Sequence, residues 1–325
     1  MFSDIPVLDV GPDFPLETLL ADKPRVAALL DGATAGYPAS ALRLADRLSR
    51  RWLERTDNLH LPEIDAIARH IGRPGAYFLS VNYEWGCTTA VRPGPDRASA
   101  RLTRVLDWRT PGLGRHIVAA RVKAEAGPFI TLTWPGYTGV LQAVAPGRFA
   151  AALNQAPMAN PIGLLALDWA VNRGRVWRKP HGTASHLLRR VFEHAADFEE
   201  ARDMLMREPI AAPAIYALAG TRPQELATIE RLEEDAVLHA GRRQAANHFD
   251  SPGWYGRPRG EASAERARMM SEIDAPLAAD FSWLKPPILN PTTRLVMVAD
   301  AKDGRLVAQG FEATGPATRI LELTA

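Results

Sequence analysis

Apolar and polar positions change period several times along the chain. Over residues 1–60 the spacing predicts mainly helix: Leu42, Ala45, Leu48 and Trp52 recur at three- and four-residue steps, with Arg43, Asp46, Arg47, Arg50 and Arg51 between them. Pro62 suits the first turn of another helix, Glu63 to Ala68, which Gly72 and Pro74-Gly75 close. Ala76 to Trp85 is aromatic and apolar. From Cys87 the pattern becomes one of short strands broken by turns: Cys87 to Val91, Leu102 to Trp108, Ile117 to Val122, Phe129 to Trp134, Val140 to Val144 and Phe149 to Leu153. Helical spacing returns at Gly163 to Val171 and His186 to Glu193. Asp197 then caps Phe198 to Met206, with Glu200 completing a capping box. Strands resume at Ala214 to Ala219, Ala227 to Arg231 and Ala236 to His239. Residues 263–273 read as helix, and the chain from Arg294 reads as a hairpin turning at Lys302 to Arg305. Helices and strands therefore come in blocks. This predicts an α+β layered architecture with antiparallel sheets, not a doubly wound parallel sheet.

Composition narrows this picture without redirecting it. The 325 residues are 23% charged and 46% hydrophobic, ordinary for a globular protein and unlike a disordered tail or a coiled coil. The 39 Lys and Arg against 37 Asp and Glu leave a formal charge of +2, which disfavours nucleic acid as a partner. Arg outnumbers Lys and Ala is abundant, which reads as the imprint of a GC-rich bacterial genome. No apolar run is long enough for an integral membrane segment, and the first residues lack the basic-then-apolar order of a signal peptide. The expected location is cytoplasmic. The single cysteine, Cys87, excludes an internal disulfide.

The candidate chemistry gathers around that cysteine. A lone cysteine is most often a buried, inert side chain. Here Gly86 precedes it and permits an unusual backbone at the peptide before the thiol. The turn after its strand brings Arg104 and Asp107 alongside on the next strand. An Arg beside a thiol favours the thiolate. No histidine lies within ten residues of Cys87. A second route to activation needs none. If the Gly86–Cys87 peptide bond is cut, Cys87 carries a free α-amine with a pKa near about 8, able to take the proton of its own side chain. Asp107 would hold that amine and Arg104 would stabilise the thiolate.

Cys87-Thr88-Thr89-Ala90-Val91 and Arg104-Val105-Leu106-Asp107-Trp108 are followed by Pro135-Gly136-Tyr137-Thr138-Gly139, Pro146-Gly147-Arg148-Phe149, Leu153-Asn154 and Ala246-Asn247-His248-Phe249. This order resembles the acid ceramidase and N-acylethanolamine acid amidase group of the N-terminal nucleophile (Ntn) hydrolases, alongside bile-salt hydrolase and penicillin V acylase. Upstream, Glu63 to Glu84 resembles the segment before the processing site. The resemblance spans roughly residues 60–312. It implies a four-layer αββα sandwich with antiparallel sheets. It also implies a helical precursor segment, 1–86, and a nucleophile-bearing part, 87–325, which would stay together as a heterodimer of two fragments after cleavage between Gly86 and Cys87.

The resemblance implies roles for single residues. Cys87 is the nucleophile. Arg104 and Asp107 match the Arg and Asp beside it. Asn247 matches an oxyanion-hole donor, a group worth about 3 kcal/mol in acyl transfer. Arg266 matches a further site arginine and Asn154 a position flanking the pocket. Trp108 and Trp134, with Trp85, fall near the site and are candidates for lining an acyl pocket. The implied reaction is hydrolysis of a linear, non-peptide carboxamide through a Cys87 thioester. The substrate would be a small-molecule or lipid amide such as an N-acylethanolamine- or ceramide-like lipid. No cofactor or metal is implied. Gln155 departs from the group, where the mammalian members carry Glu.

Other readings stay open at this stage. Arg104 and Asp107 taken alone read as a strand-end ion pair, and Asn247 as a loop cap. His181, His186 and His194 are spaced too irregularly for a helical metal pair. Gly86-Cys87-Thr88-Thr89-Ala90 also resembles the processing site of fungal isopenicillin N acyltransferase, in which an amine takes the acyl group. A catalytically dead binding protein is the third alternative.

Overall fold

A computed structural model describes residues 2–81 and 85–324. Asn82, Tyr83 and Glu84, the end of the stretch read ahead of the nucleophile, lie outside the described residues. A strand, β1 (Val7–Gly11), opens the chain. The helices α1 (Phe14–Ala21), α2 (Lys23–Thr34), α3 (Ala39–Arg55), α4 (Leu61–Ile71) and α5 (Ala76–Ser80) follow. Six strands come next: β2 (Trp85–Pro93), β3 (Ala100–Trp108), β4 (Val118–Val122), β5 (Phe129–Thr133), β6 (Gln142–Ala145) and β7 (Phe149–Gln155). A second helical block holds α6 (Leu165–Arg178), α7 (Ala184–His194) and α8 (Phe198–Arg207). The remainder runs β8 (Ala214–Ala219), β9 (Leu226–Arg231), β10 (Ala236–Ala240), β11 (Arg243–Ala245), α9 (Ser263–Glu272), β12 (Thr293–Asp300), β13 (Arg305–Glu312), β14 (Gly315–Pro316) and β15 (Leu321–Thr324).

The strands form two sheets. One has the order β1-β4-β5-β6-β7-β8-β9-β10, the other β11-β2-β3-β12-β13-β14, with β15 also on β13. Every pairing is antiparallel except β1 on β4. The largest core lies between the sheets and beneath α7 and α8. Leu102, Leu106, Leu295 and Met297 come from one sheet, Ala143, Leu153, Leu218 and Ile229 from the other, and Leu188, Phe192 and Leu205 from the helices. On the far side of the second sheet, Ala90, Val105 and Val296 pack against Met270 of α9 and against Leu284 and Ile288. The order helix, sheet, sheet, helix is the α+β sandwich expected.

The local chemistry explains most boundaries. Pro62 sits in the first turn of α4, and Gly72 ends that helix in the left-handed conformation at φ 64°. Asp197 accepts the Glu200 N–H at 2.9 Å and so caps α8. Glu200 reaches back to the N–H of Ala196 at 2.9 Å, one residue before the position a capping box requires. Residues 1–60 are mainly helix, as the spacing predicts, with one strand among them. Val7–Gly11 is a strand that runs parallel to β4 at the edge of the larger sheet. Five residues are too few to show a period, and their pairing partner lies more than a hundred residues away. The 1–86 segment thus contributes a strand to the larger sheet. Among the described residues no helix is long and apolar enough to cross a membrane.

Candidate active site

The β2–β3 hairpin carries the centre of the site. Its register pairs Gly86 with Asp107, Cys87 with Leu106 and Thr89 with Arg104. Side chains alternate between the two faces of a strand, so residues three apart point opposite ways. Arg104 and Asp107 are three apart. The expectation placed both beside the thiol; the structure divides them. Cys87, Thr89 and Arg104 face inward toward the other sheet. Gly86, Thr88 and Asp107 face outward toward α9.

On the inner face Cys87 is fully buried, and its Sγ lies 3.7 Å from the Leu153 carbonyl on β7. Arg104 is also fully buried. Its Nη1 donates to Asn154 Oδ1 at 2.5 Å, while its Nε and Nη2 have no hydrogen-bond partner. Asn154 Nδ2 donates to Thr89 Oγ1 at 3.0 Å and to the carbonyls of Ala245 and Ala246 at 3.2 and 3.1 Å. Asn154 therefore orients the guanidinium and has no free group for a ligand. Burial pushes the Cys87 thiol up, and the Arg104 charge is the strongest influence drawing it down. The thiol is shielded and neutral, with a cation held on its own face.

On the outer face Arg266, from α9, binds the backbone at Cys87. Its Nη1 donates to the Cys87 carbonyl at 2.5 Å and to Thr88 Oγ1 at 2.7 Å, and its Nε donates to the Glu261 carbonyl at 2.8 Å. The same Nη1 lies 3.5 Å from Asp107 Oδ2, and Thr293 donates to Asp107 Oδ1 at 2.9 Å. Burial raises the Asp107 carboxyl above its ordinary range despite Arg266. Gly86 is not in the left-handed region. It is needed for closeness: a β-carbon there would stand 3.3 Å from Asp107 Cβ and 3.6 Å from the Gly260 backbone.

Asn247 arrives through β11, which pairs with β2 at Ala245–Thr89. Its Oδ1 accepts the Cys87 N–H at 2.7 Å and an Arg266 Nη2–H at 3.0 Å. Its Nδ2 donates to the Gln155 carbonyl at 2.7 Å. Two donors on one side and a carbonyl on the other leave only this orientation of the amide. Asn247 holds the Cys87 nitrogen, and its amide N–H points to the Gln155 carbonyl. That nitrogen bonds to Asn247, not to Asp107.

Trp108 and Trp134 pack in the same core as Cys87 and do not line the cavity beside Gln155. Trp108 stacks between Trp85 at 5.1 Å and Trp134 at 5.5 Å. Trp134 is buried and donates its indole N–H to the Leu113 carbonyl at 2.8 Å. A cavity of about 550 Å³ opens at Gln155 and is walled by Met158, Val176, Phe249 and Tyr255 among others. Gln155 belongs to both places, because its Oε1 accepts the Trp85 N–H at 2.9 Å. Sequence reasoning noted Gln155 only as a departure and missed Thr293 and Ser263, which accepts the Asn247 N–H at 2.9 Å. The position of Gln155, directly after Asn154 on one strand, was the available signal. Among the described residues no cluster of three or more His, Cys, Asp or Glu could hold a metal ion.

No family model matches the chain. The acid ceramidase of Homo sapiens is 30% identical over 110 residues, 34% of this chain and 26% of that protein. That of Heterocephalus glaber is 29% identical over 109 residues, with the same shares. The chain thus spans about a quarter of the length of these curated relatives. A solved structure, the Caenorhabditis elegans N-acylethanolamine-hydrolyzing acid amidase (NAAA) ortholog, superposes with a TM-score of 0.50 at 19% identity. The match covers 65% of this chain and 92% of that one. The chain is similar to the acid ceramidase and NAAA group of Ntn hydrolases. At that identity the structural likeness carries the fold, and the fold is the two-sheet sandwich described above.

Proposed function

We propose that this protein is a cysteine Ntn amidohydrolase that cuts itself before Cys87 and then hydrolyses a linear N-acyl amide. The observation that carries the reading is Arg104: a buried guanidinium without a carboxylate partner among the described residues, on the face of the hairpin that carries the only thiol. A cation in that position has a use when the sulfur becomes an anion. In processing, Cys87 Sγ attacks the Gly86 carbonyl carbon; the S–C bond forms, the C–N bond breaks, and water releases the Gly86 carboxylate. The freed α-amine stays against Asn247 Oδ1, where the amide N–H now sits, and takes the thiol proton. In turnover the thiolate attacks the substrate carbonyl, the protonated amine leaves, and water hydrolyses the thioester. The relatives, a ceramidase and an N-acylethanolamine hydrolase, support an N-acyl amide as the substrate class.

Intact-mass measurement of the purified protein tests this. The expected result is two fragments, 1–86 and 87–325, and turnover of an N-acyl amide. Cys87→Ala should remain one chain and lose turnover entirely. Amide hydrolysis by the Cys87→Ala protein would overturn the mechanism. An added amine that captures the acyl group faster than water would make the enzyme an acyltransferase.

A further inference from the structure

Ser263 opens α9, where a serine commonly caps its own helix. Here it does not. Ala262 holds the cap position in the left-handed conformation at φ 48°, and the first turn has no side-chain cap. The buried Ser263 hydroxyl is turned instead to the loop after β11. Its Oγ accepts the Asn247 N–H at 2.9 Å and lies 2.8 Å from His248 Nδ1. His248 Nε2 faces the Asp250 carboxylate at 3.6 Å, which favours the proton on that nitrogen. Nδ1 is then the acceptor, Ser263 donates its O–H to it, and the Oγ lone pairs remain for Asn247. Asp250 is itself anchored. Arg243 of β11 donates to it at 2.9 Å, and Glu230 of β9 accepts its N–H at 2.6 Å. The tie ends at Cys87, whose N–H donates to Asn247 Oδ1 at 2.7 Å. Ser263 and Arg266 are three apart on α9, so one face of that helix holds both Asn247 and the Cys87 carbonyl.

We propose that Ser263 and His248 are positioning residues for the Cys87 chemistry. His248 fixes the hydroxyl of Ser263, Ser263 fixes the backbone of Asn247, and Asn247 fixes the Cys87 nitrogen that is to collect the thiol proton. The inference rests on the amidase reading and adds to it two residues, neither of which lines the cavity beside Gln155. Loosening the tie lets that nitrogen drift, and proton transfer depends on hydrogen-bond reach. Such a change slows the chemical step and leaves substrate binding alone.

Kinetics and hydrogen exchange are measured apart so that the two readings fail separately. Ser263→Ala should slow self-cleavage and lower kcat for N-lauroylethanolamine about tenfold, with KM within about twofold of wild type. Ser263→Thr keeps the hydroxyl and should restore most of the rate. His248→Phe should cost about threefold, and the double variant should be no slower than Ser263→Ala, because the two act through one hydrogen bond. The activity-free measurement uses the uncut Cys87→Ala chain. There Ser263→Ala should speed exchange of the residue 87 N–H at least about tenfold, with the amides of residues 267–272 of α9 unchanged. Wild-type kcat in Ser263→Ala, no rescue by threonine, or additive losses would overturn the inference. So would exchange that rises equally along α9, the mark of a merely structural serine. Should Ser263→Ala not fold, His248→Phe with the same exchange measurement decides. A wild type that neither cuts itself nor hydrolyses the amide removes the amidase reading. Faster exchange confined to residue 87 would still establish the tie.

Discussion

Two arginines are buried on opposite faces of one hairpin, and their surroundings differ. Arg266, on the outer face, donates to three backbone carbonyls, to Thr88 and to Asn247, and lies 3.5 Å from the Asp107 carboxylate. Arg104, on the inner face, has one hydrogen bond, to Asn154, and two nitrogens without partners. A buried charge is tolerable when it is paired and fully hydrogen-bonded, and costly when it is not. Arg266 meets that condition and acts as a clamp on the Cys87 peptide. Arg104 does not meet it, and its cost is expected to be recovered only when a thiolate forms beside it. The comparison separates a guanidinium that holds the fold from one whose proposed use is chemistry.

The largest test of that division is Arg266→Met. It leaves the Asp107 carboxylate buried without its cation and frees the Cys87 carbonyl, so about 3–5 kcal/mol of stability should be lost. Denaturant titration measures it, and a loss below about 1 kcal/mol would mean Arg266 is no clamp. Arg104→Met should behave oppositely. Removing an uncompensated charge offsets the loss of the Asn154 bond, so stability should move by less than about 1 kcal/mol. Amide turnover should fall about a hundredfold, as for one preorganised electrostatic group. The acidic limb of its pH–rate profile should move to higher pH, and Arg104→Lys should restore part of both. A stability loss as large as that of Arg266→Met would erase the contrast.

A finer test uses Asp107, whose carboxyl burial holds above its ordinary value of 3.8. A raised carboxyl contributes stability that is fully present below that ordinary value and lost as pH rises through the folded-state value. Asp107→Asn lacks this titration. Wild type should therefore lose stability relative to the variant as pH climbs from about 4 toward neutrality. Denaturation midpoints across that range check the sign, and parallel curves would contradict it. The smallest effect belongs to Gly86→Ala. Its added methyl meets Asp107 Cβ at 3.3 Å, so the expected cost is about 1 kcal/mol with slower chain cleavage. An unchanged cleavage rate on a mass-spectrometric time course would show that the outer face tolerates crowding.

Much of this was readable before any coordinates. The α8 cap at Asp197, the start of α4 at Pro62, the strand carrying Cys87 and its hairpin partner were all stated from local pattern and were found. The division of Arg104 from Asp107 is also legible in the sequence, because an odd separation on a strand means opposite faces. Gly86 makes room for Asp107 and does not adopt the unusual backbone that a glycine there permits. β1 and β11 were missed, being only five and three residues long.

The residues alone determined the alternation of helix and strand blocks, the identity of the one thiol and the charged groups near it in the chain. These follow from backbone period and from side-chain chemistry, which act over a few residues. Tertiary structure decided which face each group occupies, that Asn247 turns its oxygen to the Cys87 nitrogen, and that Gln155 joins the site to a cavity. Those facts depend on β11 settling against β2 and one sheet stacking on the other. Such contacts join positions 66 to 179 residues apart, and no local pattern encodes them.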